Sequence, residues 1–473
     1  MKKYNVLLIM TDQHRGDCLH SDGNETIQTP YLDHLASDGV RFSHAYSACP
    51  SCIPARAVLM TGQTPWKTGI LGMGEGQKPM RSDYLHTLPG ELAKAGYHTQ
   101  LVGKMHFNPP RALNGFHNTV LDEHDYPDFK SDYQIWFEKN APGESAMREH
   151  GIGWNDMIAR PFHLPEVFHP TNWTVRESLK FLNIRRDVTK TFFLCTSFIR
   201  PHSPYDPPRD YWDMYSTRNI PGPFISEWSE KLHNIPEEAV RTDAWHGKRS
   251  DEEIRRARVG YYGSVTHIDN QIGFLLACLK KNQLYDDTLI IFTSDHGDML
   301  GDHLLWRKTY AYESSTRIPL LVKFPGDFNI SRKVADQPVE LRDIMPTILE
   351  TLSVPVPDTV EGKNVMKIAA DKNAGWREYI HGEHCRCYSP VQEMQFVTDG
   401  KRKYIWFPRT DAEQFFNLEN DPQEQYDLSG EKTGRDEIAF WKARLIKELE
   451  SRNCGLVKNQ RLIRQDKPII SPW

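Results

Sequence analysis

The stretch CPSCIPARAVLMTG, from Cys49 to Gly62, combines residue types that can carry chemistry. Two cysteines lie three positions apart, and a proline, an arginine and a short apolar run follow them. Such a pair can form a redox centre, can supply two ligands to a zinc ion, or can place one nucleophilic thiol beside an inert one.

The residues after Cys52 predict a helix that begins near this cysteine. Pro54 suits the first helical turn, where its missing N–H removes no hydrogen bond, and Gly62 suits the position that ends a helix. Cys52 would then lie at the helix N-terminus, where backbone N–H groups and the helix dipole favour negative charge. Arg56, one turn further on, would face the same point. We therefore expect a thiolate at Cys52 with a lowered pKa.

The redox and zinc alternatives lack a suitable context. A redox pair normally belongs to a thioredoxin-like sequence, and the neighbouring residues do not supply one. A zinc site needs a second pair, and Cys385-x-Cys387 is the available candidate, with poor spacing. We interpret Cys49 as an inert buried cysteine and Cys52 as the reactive one.

Short apolar runs alternate with helical patterns along the chain, which predicts an α/β fold with a mainly parallel sheet flanked by helices. The predicted strands are Val6–Thr11, Thr99–Val102, Phe192–Phe198, Thr288–Thr293 and Pro319–Phe324. The predicted helices are Tyr31–Ser37, Pro54–Met60, Leu88–Ala95, Thr174–Asn183, Glu252–Lys280 and Leu341–Thr351. Residues 108–168 are rich in aromatic residues, Pro, Gly and His, and we interpret them as long surface excursions near a pocket.

A smaller unit is predicted at the C-terminal end of the chain. We place the boundary so that residues 1–372 form an α/β domain and residues 373–473 form an α+β subdomain. Strand-like pieces lie at Tyr379–Gly382, Gln395–Thr398, Lys403–Phe407 and Gln414–Asn417, and Asp436–Ser451 has the pattern of a helix. These pieces predict a small antiparallel sheet with one helix.

Four of the five predicted strands are followed by titratable or metal-capable side chains. These residues are Asp12 and Gln13, Lys104 and His106, Arg200 and His202, and Asp295 and His296. Ligands of open parallel sheets bind beyond the carboxyl ends of the strands, so we expect the four sets to converge. Asp12, Gln13 and Asp295 offer the hard oxygens that Ca²⁺ or Mg²⁺ requires, and His296 can add a nitrogen.

Several cations are expected around this metal site. They are Lys104, Lys308 and Arg56, with His106 and His202 as further donors. A divalent metal beside several cations suits a tetrahedral oxyanion ester, either a sulfate or a phosphate.

The composition of the whole chain narrows the classes of partner. Its 473 residues carry a net charge of −5, with 58 Lys and Arg against 63 Asp and Glu, which argues against a nucleic-acid-binding protein. The N-terminal run VLLIMT is shorter than the ~7–15 apolar residues of a signal peptide, and no stretch approaches the ~18–20 of a membrane span. We therefore expect a cytoplasmic protein without nucleic-acid or membrane partners.

Five stretches of the sequence resemble the type I, formylglycine-dependent sulfatases of the alkaline phosphatase superfamily. Cys52 to Gly62 resembles their signature C-x-P-x-R, followed by a leucine and Thr-Gly. LVGKMHF is similar to their G-K-x-H element, and RPHSP is similar to their P-H-x-P element. TSDHGDMLGDHLLWRKTYAYES resembles their metal and lysine block, and KYIWFP…EQFFNLENDPQEQYDL resembles their C-terminal signature. The resemblance extends from Asn5 to about Leu428.

The resemblance implies an alkaline-phosphatase-like core and a modified nucleophile. A maturation enzyme would oxidise Cys52 to formylglycine, whose hydrate would attack the sulfur of a sulfate ester. Asp12, Gln13, Asp295 and His296 would hold a divalent metal beside the modified Cys52, with Ca²⁺ expected and Mg²⁺ or Mn²⁺ as alternatives.

The resemblance also implies roles for the cations. Arg56 would activate the nucleophile together with the metal, and Lys104 and Lys308 would neutralise the equatorial oxygens. His202 would protonate the leaving alcohol, with Lys308 sharing that role, and His106 would assist the release of sulfate.

Three departures from the family pattern bear on the substrate. Gln13 stands where an aspartate is frequent, His296 where an asparagine is frequent, and Ala55 where a serine is frequent. All three variants occur in the wider superfamily that the sequence resembles, which includes phosphonate monoester hydrolases that share the aldehyde nucleophile. Gln13 also lowers the negative charge of the site, which is expected to weaken metal binding somewhat.

The first hypothesis is therefore a sulfatase that acts on a small sulfated saccharide or an aryl sulfate. The second is a phosphonate monoester or phosphodiester hydrolase with the same machinery. An inactive carbohydrate-binding relative is a third, but it would require the loss of catalytic residues, and none of the expected set is missing. Candidates to line the substrate pocket are Arg200, His303, Trp306, Arg307, His384 and Arg386.

Overall fold

The computed structural model of the protein describes residues 2–73, 77–124, 126, 128–141, 143, 151–232, 241–328, 330–431 and 434–473. The strands in these ranges are β1 Asn5–Asp12, β2 Val40–Phe42, β3 Ala45–Tyr46, β4 His98–Gly103, β5 Asn118–Leu121, β6 Phe192–Pro201, β7 Thr288–Ser294, β8 Leu320–Lys323, β9 Val334–Ala335, β10 Val339–Glu340, β11 Ile380–His384, β12 Met394–Thr398, β13 Arg402–Phe407, β14 Ala412–Asn417, β15 Val457–Lys458 and β16 Arg461–Leu462. The helices are α1 Pro30–Asp38, α2 Cys52–Thr61, α3 Pro65–Thr68, α4 Leu88–Lys94, α5 Asp132–Asn140, α6 Pro170–Lys180, α7 Arg209–Ser216, α8 Glu227–Leu232, α9 Asp251–Lys281, α10 Glu313–Thr316, α11 Ile344–Thr351, α12 Met366–Ala370 and α13 Arg435–Glu450.

An eight-stranded mixed sheet in the order β5-β4-β6-β1-β7-β8-β2-β9 forms the centre of the fold. The five strands β5, β4, β6, β1 and β7 are parallel neighbours. In contrast, β8 runs antiparallel to both β7 and β2. The carboxyl end of β8 therefore lies at the opposite edge of the sheet, which explains why this predicted strand carries no site residues at its end.

Both faces of the central sheet are covered by helices. Successive side chains of a strand point to opposite faces, and β1 shows this alternation clearly. Val6, Leu8 and Met10 share one buried core with side chains from α2, α4 and α11. Leu7 and Ile9 share a second core with side chains from α1, α6 and α9. The predicted α/β class, a mainly parallel sheet between helical layers, is confirmed.

Residues 108–168 contain more regular structure than the sequence predicts, although residues 125, 127, 142 and 144–150 lie outside the described residues. β5 extends the central sheet, and α5 begins with a capping box in which Ser131 and Gln134 each accept a backbone N–H of the other. The apolar residues of this segment lack a clear period, so the sequence alone gives no helix or strand signal there.

A separate four-stranded antiparallel sheet, in the order β11-β12-β13-β14, forms the C-terminal part as predicted. One face packs against α13 through Trp406, Trp441 and Leu445. The other face packs against residues near the central sheet, including Tyr310 and Tyr312. The predicted boundary after residue 372 falls between α12 and β11, and the division into two domains stays a prediction.

Within the described ranges, no helix is both long and apolar enough to cross a membrane. The cytoplasmic location stays a prediction.

Candidate active site

The parallel strands bring the predicted strand ends together. The His202 N–H donates to the carbonyl of Asp12 at 3.0 Å, and the Asp295 N–H donates to the carbonyl of Thr11 at 3.3 Å. β4 ends at the same edge and places Lys104 there. The convergence follows from register, because strands that pair in parallel deliver their next residues to the same side of the sheet.

Four buried side chains from β1, α2 and the end of β7 form a cluster with metal-binding geometry: Asp12, Cys52, Asp295 and His296. One ligand atom of each residue lies within 4.8 Å of the others. Cys52 Sγ lies 3.5 Å from Asp12 Oδ1 and 3.2 Å from His296 Nε2. In the part of the chain that the structure describes, this is the one such group of His, Cys, Asp and Glu residues.

The neighbours of His296 and Asp295 orient their ligand atoms. His296 Nδ1 lies 2.8 Å from the Gly297 carbonyl and therefore carries the ring proton, which leaves Nε2 towards the cluster as an acceptor. Burial lowers the pKa of His296, so the ring is neutral and can bind a cation. Asp295 Oδ1 accepts the backbone N–H groups of Gln13 and His296, each at 3.0 Å.

Arg56 lies fully buried between the two carboxylates of the cluster. Its Nε donates to Asp295 Oδ2 at 2.9 Å, and its Nη2 lies 3.2 Å from Asp12 Oδ2. Lys104 Nζ lies 2.9 Å from the same Asp12 oxygen. These two cations offset the charge of the carboxylates and fix their positions.

A second polar group adjoins the cluster through Gln13. Lys308 Nζ lies 2.9 Å from Gln13 Oε1 and 2.7 Å from His202 Nε2. The Gln13 amide donates to Asp298 at 2.6 Å, so its side chain binds Asp298 and Lys308 rather than any of the four clustered side chains. The assignment of Gln13 as a metal ligand stays a prediction.

His106 is buried near the end of β4, as the strand-end pattern predicts. Its backbone N–H and that of Met105 both donate to Glu123 Oε1, at 2.7 and 2.6 Å. These bonds fix the turn that carries His106, and its role in the release of sulfate stays a prediction.

The helix that begins at Cys52 is confirmed, but the expected thiolate is wrong. α2 starts at Cys52 after the N-cap residue Ser51 and ends at Gly62. Burial, followed by the negative charge of Asp12, raises the pKa of the Cys52 thiol to about 12. Desolvation therefore outweighs the helix N-terminus, and the unmodified thiol is protonated at neutral pH.

The other cysteines show no redox or zinc centre. All eight are free, and Cys49 is fully buried, with its pKa raised by burial. In the candidate zinc pair, the Cys385 thiol donates to the carbonyl of Ile469 at 3.0 Å.

Asp298 and Trp154 lie near the site without a recognisable sequence signal, and His384, one of the predicted pocket residues, contacts the residue before Cys52. Asp298 accepts from the Tyr205 hydroxyl at 2.5 Å as well as from Gln13. Trp154 stacks on His202, and His384 Nε2 lies 2.8 Å from the Ser51 hydroxyl. Their proximity depends on tertiary packing of distant segments.

The candidate pocket residues divide into two groups. Arg200 is buried next to the site, where its Nε donates to Asp206 at 2.8 Å. In contrast, His303 packs against Trp228 with ring centroids 4.6 Å apart and an interplanar angle of 36°, and Trp306 lies buried in a separate core. His303 and Trp306 therefore serve packing in this structure.

The fold and the site define a class of hydrolases that act on oxyanion esters and have an alkaline-phosphatase-like α/β fold. Residues 4–354 match the family model described as sulfatase, and residues 301–452 match the model described as N-sulphoglucosamine sulphohydrolase, C-terminal. The chain belongs to the formylglycine-dependent sulfatase family and is a sulfuric ester hydrolase.

Individual relatives agree with this placement. The chain is 40% identical over 479 residues to an arylsulfatase of Clostridium perfringens, with 98% of each chain covered. It is 29% identical over 445 residues to a choline-sulfatase of Rhizobium meliloti, covering 91% of this chain and 83% of the relative. It has the fold of a phosphonate monoester hydrolase from Silicibacter pomeroyi, with a TM-score of 0.79 and 23% identity over 98% of this chain and 100% of that one.

Proposed function

We propose that this sulfatase hydrolyses the sulfate monoester of a small saccharide or phenol, with formylglycine at residue 52 and a divalent cation in the buried cluster. The observation that carries the proposal is the convergence of Asp12, Cys52, Asp295 and His296 within 4.8 Å, beside the buried cations Lys104 and Lys308. The 40% identity to an arylsulfatase supports the choice of a sulfate ester.

The donor set of the cluster fits a divalent cation. Asp12 and Asp295 supply two carboxylates, His296 supplies a neutral nitrogen, and residue 52 supplies an atom 3.2 Å from that nitrogen. Oxygen-rich sets of this kind suit Ca²⁺, with Mg²⁺ and Mn²⁺ as alternatives. A cation bound there would supply Lewis-acid polarisation of the sulfate oxygens.

Residue 52 lies where a nucleophile can meet a substrate held by these cations. It is the first residue of α2 and lies 3.5 Å from Asp12 Oδ1. A separate maturation enzyme would oxidise the cysteine, and the hydrated aldehyde would supply the nucleophilic hydroxyl. The raised pKa of the unmodified thiol agrees with this proposal, because a protonated thiol is a poor nucleophile.

Lys308 and His202 serve the leaving group. Because His202 Nδ1 donates to the Ser203 carbonyl, its Nε2 accepts from Lys308 and the ammonium holds the proton. Lys308 then protonates the departing oxygen, and His202 orients the ammonium. Lys104, whose Nζ lies 2.9 Å from Asp12 Oδ2, neutralises charge on the transferred group, and His106 assists the later release of sulfate.

The test compares the rates at which protein coexpressed with a formylglycine-generating enzyme hydrolyses 4-nitrophenyl sulfate, a monosaccharide sulfate and an aryl phosphonate ester. Mass spectrometry of the peptide that contains residue 52 reports the aldehyde in the same preparation. We expect release from a sulfate ester that depends on the aldehyde and is abolished in Cys52→Ala. Full activity of Cys52→Ala would contradict the proposal, and a dominant rate on the phosphonate would favour the second hypothesis.

A further inference from the structure

Trp154 lies against the residues that would release the alcohol. Its indole stacks on the His202 imidazole with ring centroids 4.8 Å apart and an interplanar angle of 19°. Lys104 Nζ lies 5.4 Å from the centroid of the same indole, and the Arg200 guanidinium carbon lies 6.0 Å from it. The indole therefore borders the anion site.

Trp154 differs from these polar neighbours in its exposure. His202 and Lys104 are each 1% exposed and Arg200 is 0% exposed, whereas Trp154 keeps an accessible part of its surface. Within the same excursion, Tyr133 and other aromatic side chains are buried in a local core, and Trp154 packs at the edge of that core. A partly exposed indole beside a buried polar site can contact a ligand that enters the site.

The path of the leaving group passes this indole. The leaving oxygen must come within about 2.6–3.2 Å of the atom that protonates it. In the proposed mechanism this atom is Lys308 Nζ, which His202 orients. The carbon bonded to that oxygen then lies a few ångströms from His202, and the rest of the alcohol lies beside the ring that stacks on His202. The rings of His202 and His124 pack against the indole, with centroids 4.8 and 5.5 Å away, so an entering ring would meet the part of Trp154 that stays exposed. A ring can contact this exposed part, whereas a short acyclic chain would contact little of it.

We propose that Trp154 is a specificity-determining residue whose exposed part forms a contact platform for the ring of the leaving alcohol. The ring is either an aromatic ring or the apolar face of a sugar, which share this chemistry. The inference rests on the proposed function, since it assigns the leaving group of the same site. The nearby cations Lys104 and Arg200 hold the indole in place through its π face.

The experiment measures kcat and KM separately for 4-nitrophenyl sulfate, a monosaccharide sulfate and ethyl sulfate. In Trp154→Ala we expect KM to rise about three- to tenfold for at least one cyclic ester, with KM for ethyl sulfate within about twofold of wild type. Trp154→Phe keeps a smaller ring and is expected to show a smaller rise. A rise for the phenyl ester alone identifies an aryl platform, and a rise for the sugar ester alone identifies a saccharide platform.

Trp136→Phe is the matched control, because Trp136 packs against the same local core as Trp154 but does not border the site. Its ring centroid lies 3.8 Å from the guanidinium carbon of Arg176. It is expected to keep wild-type constants for all three esters. An equal fall in kcat for all three esters in Trp154→Ala and Trp154→Phe, with unchanged KM, would overturn the proposal and leave Trp154 as a residue that only orients His202.

A binding measurement separates failure of this inference from failure of the proposed function. Calorimetric titration of the three esters into Cys52→Ala, with and without Trp154→Phe, needs no turnover. Tighter binding of a cyclic ester than of ethyl sulfate, lost in the double variant, supports the platform. Equal binding of cyclic and acyclic esters overturns it. Absence of sulfate release by wild type counts against the proposed function alone.

Discussion

His202 Nε2 lies 2.7 Å from Lys308 Nζ, and His202 Nδ1 lies 2.8 Å from the carbonyl of Ser203. Nδ1 must carry the ring proton to donate to that carbonyl, so Nε2 accepts from the lysine. Burial, followed by the charge of Lys308, lowers the pKa of His202 well below its usual range. In this pair the lysine donates and the imidazole accepts, so Lys308 rather than His202 is the proton donor of the proposed mechanism.

Replacing Lys308, the proposed proton donor, should lower kcat most for esters with poor leaving groups. We expect Lys308→Ala to lower kcat by about 10²–10⁴-fold for an alkyl or sugar sulfate, and by less for 4-nitrophenyl sulfate, because nitrophenolate leaves without a proton. The measurement is kcat across a series of substituted phenyl sulfates, for which Lys308→Ala should depend more steeply on the pKa of the leaving phenol than wild type does. Lys363→Ala, on the surface, is the control. An unchanged slope would contradict the role of Lys308.

The two carboxylates beside Arg56 depend on it for charge compensation. Arg56→Gln is expected to destabilise the metal-free protein by about 3–5 kcal/mol, since Asp12 and Asp295 lose a buried partner. Added Ca²⁺ is expected to restore part of this loss. Arg402→Gln, whose partners Glu419 and Glu437 are each about half exposed, should change stability by about 0–1 kcal/mol. Urea unfolding of metal-free protein measures the free energy of unfolding of both variants. A wild-type value for Arg56→Gln would refute the dependence of Asp12 and Asp295 on Arg56.

A cation bound in the cluster stabilises the folded state by mass action. At a free concentration of 100 times Kd, the expected gain is about 2.7 kcal/mol, seen as a higher Tm when Ca²⁺, Mg²⁺ or Mn²⁺ is added to metal-free protein. Asp295→Asn removes one ligand and is expected to lose most of the gain, whereas Asp243→Asn, away from the cluster, should keep it. A gain that survives in Asp295→Asn would place the cation elsewhere.

Much of the fold and site follows from local sequence. Apolar runs locate the parallel strands, and the residue after each run identifies Asp12, Lys104, His202 and Asp295 at one edge. The antiparallel direction of β8 does not follow, because it is fixed by pairing with β7 and β2 rather than by its own residues. Strand direction is a tertiary property, so a list of strands leaves it open.

Burial is the other quantity that local sequence does not contain. The helix N-terminus at Cys52 favours a thiolate by only about 0.3–1 kcal/mol at an exposed site. Enclosure of the thiol beside the Asp12 carboxylate opposes this by more, so the pKa rises instead of falling. The position of Trp154 beside the site likewise does not follow from local sequence, because its contact with His202 joins segments far apart in the chain.

Asp269 makes the stability of the protein depend on pH. Its carboxylate accepts the N–H groups of Tyr31 and Leu32 at the start of α1, at 3.2 and 2.8 Å. Burial raises the pKa of Asp269 to about 7. The folded state then binds more protons than the unfolded state between about pH 4 and 7, so this residue makes stability fall as pH rises through that window.

Asp269→Asn should remove this contribution while keeping an acceptor for one backbone N–H. The stability difference between variant and wild type is expected to shift in favour of the variant by about 1–3 kcal/mol between pH 5 and pH 8. Urea unfolding at the two pH values measures the difference. If the difference is the same at both, Asp269 does not titrate in this window.

His384, from the C-terminal sheet, supports the turn that precedes Cys52, the proposed nucleophile. Its Nδ1 donates to the Cys385 carbonyl, so Nε2 accepts the Ser51 hydroxyl at 2.8 Å, directly before Cys52. Burial lowers the pKa of His384 to about 4, so this acceptor is present at neutral pH. The C-terminal sheet therefore contacts, through His384, the residue directly before Cys52.

His384→Ala is expected to leave the buried Ser51 hydroxyl without this acceptor, at a cost of about 1–3 kcal/mol in unfolding free energy. Looser placement of residue 52 should lower kcat by about tenfold or more with little change in KM. His384→Gln, which offers an amide oxygen near the position of Nε2, should recover part of kcat. His381→Ala, on the same strand but bound to Gln395, controls for general damage to the sheet. Equal loss of kcat in His384→Ala and His381→Ala would assign His384 a structural role alone.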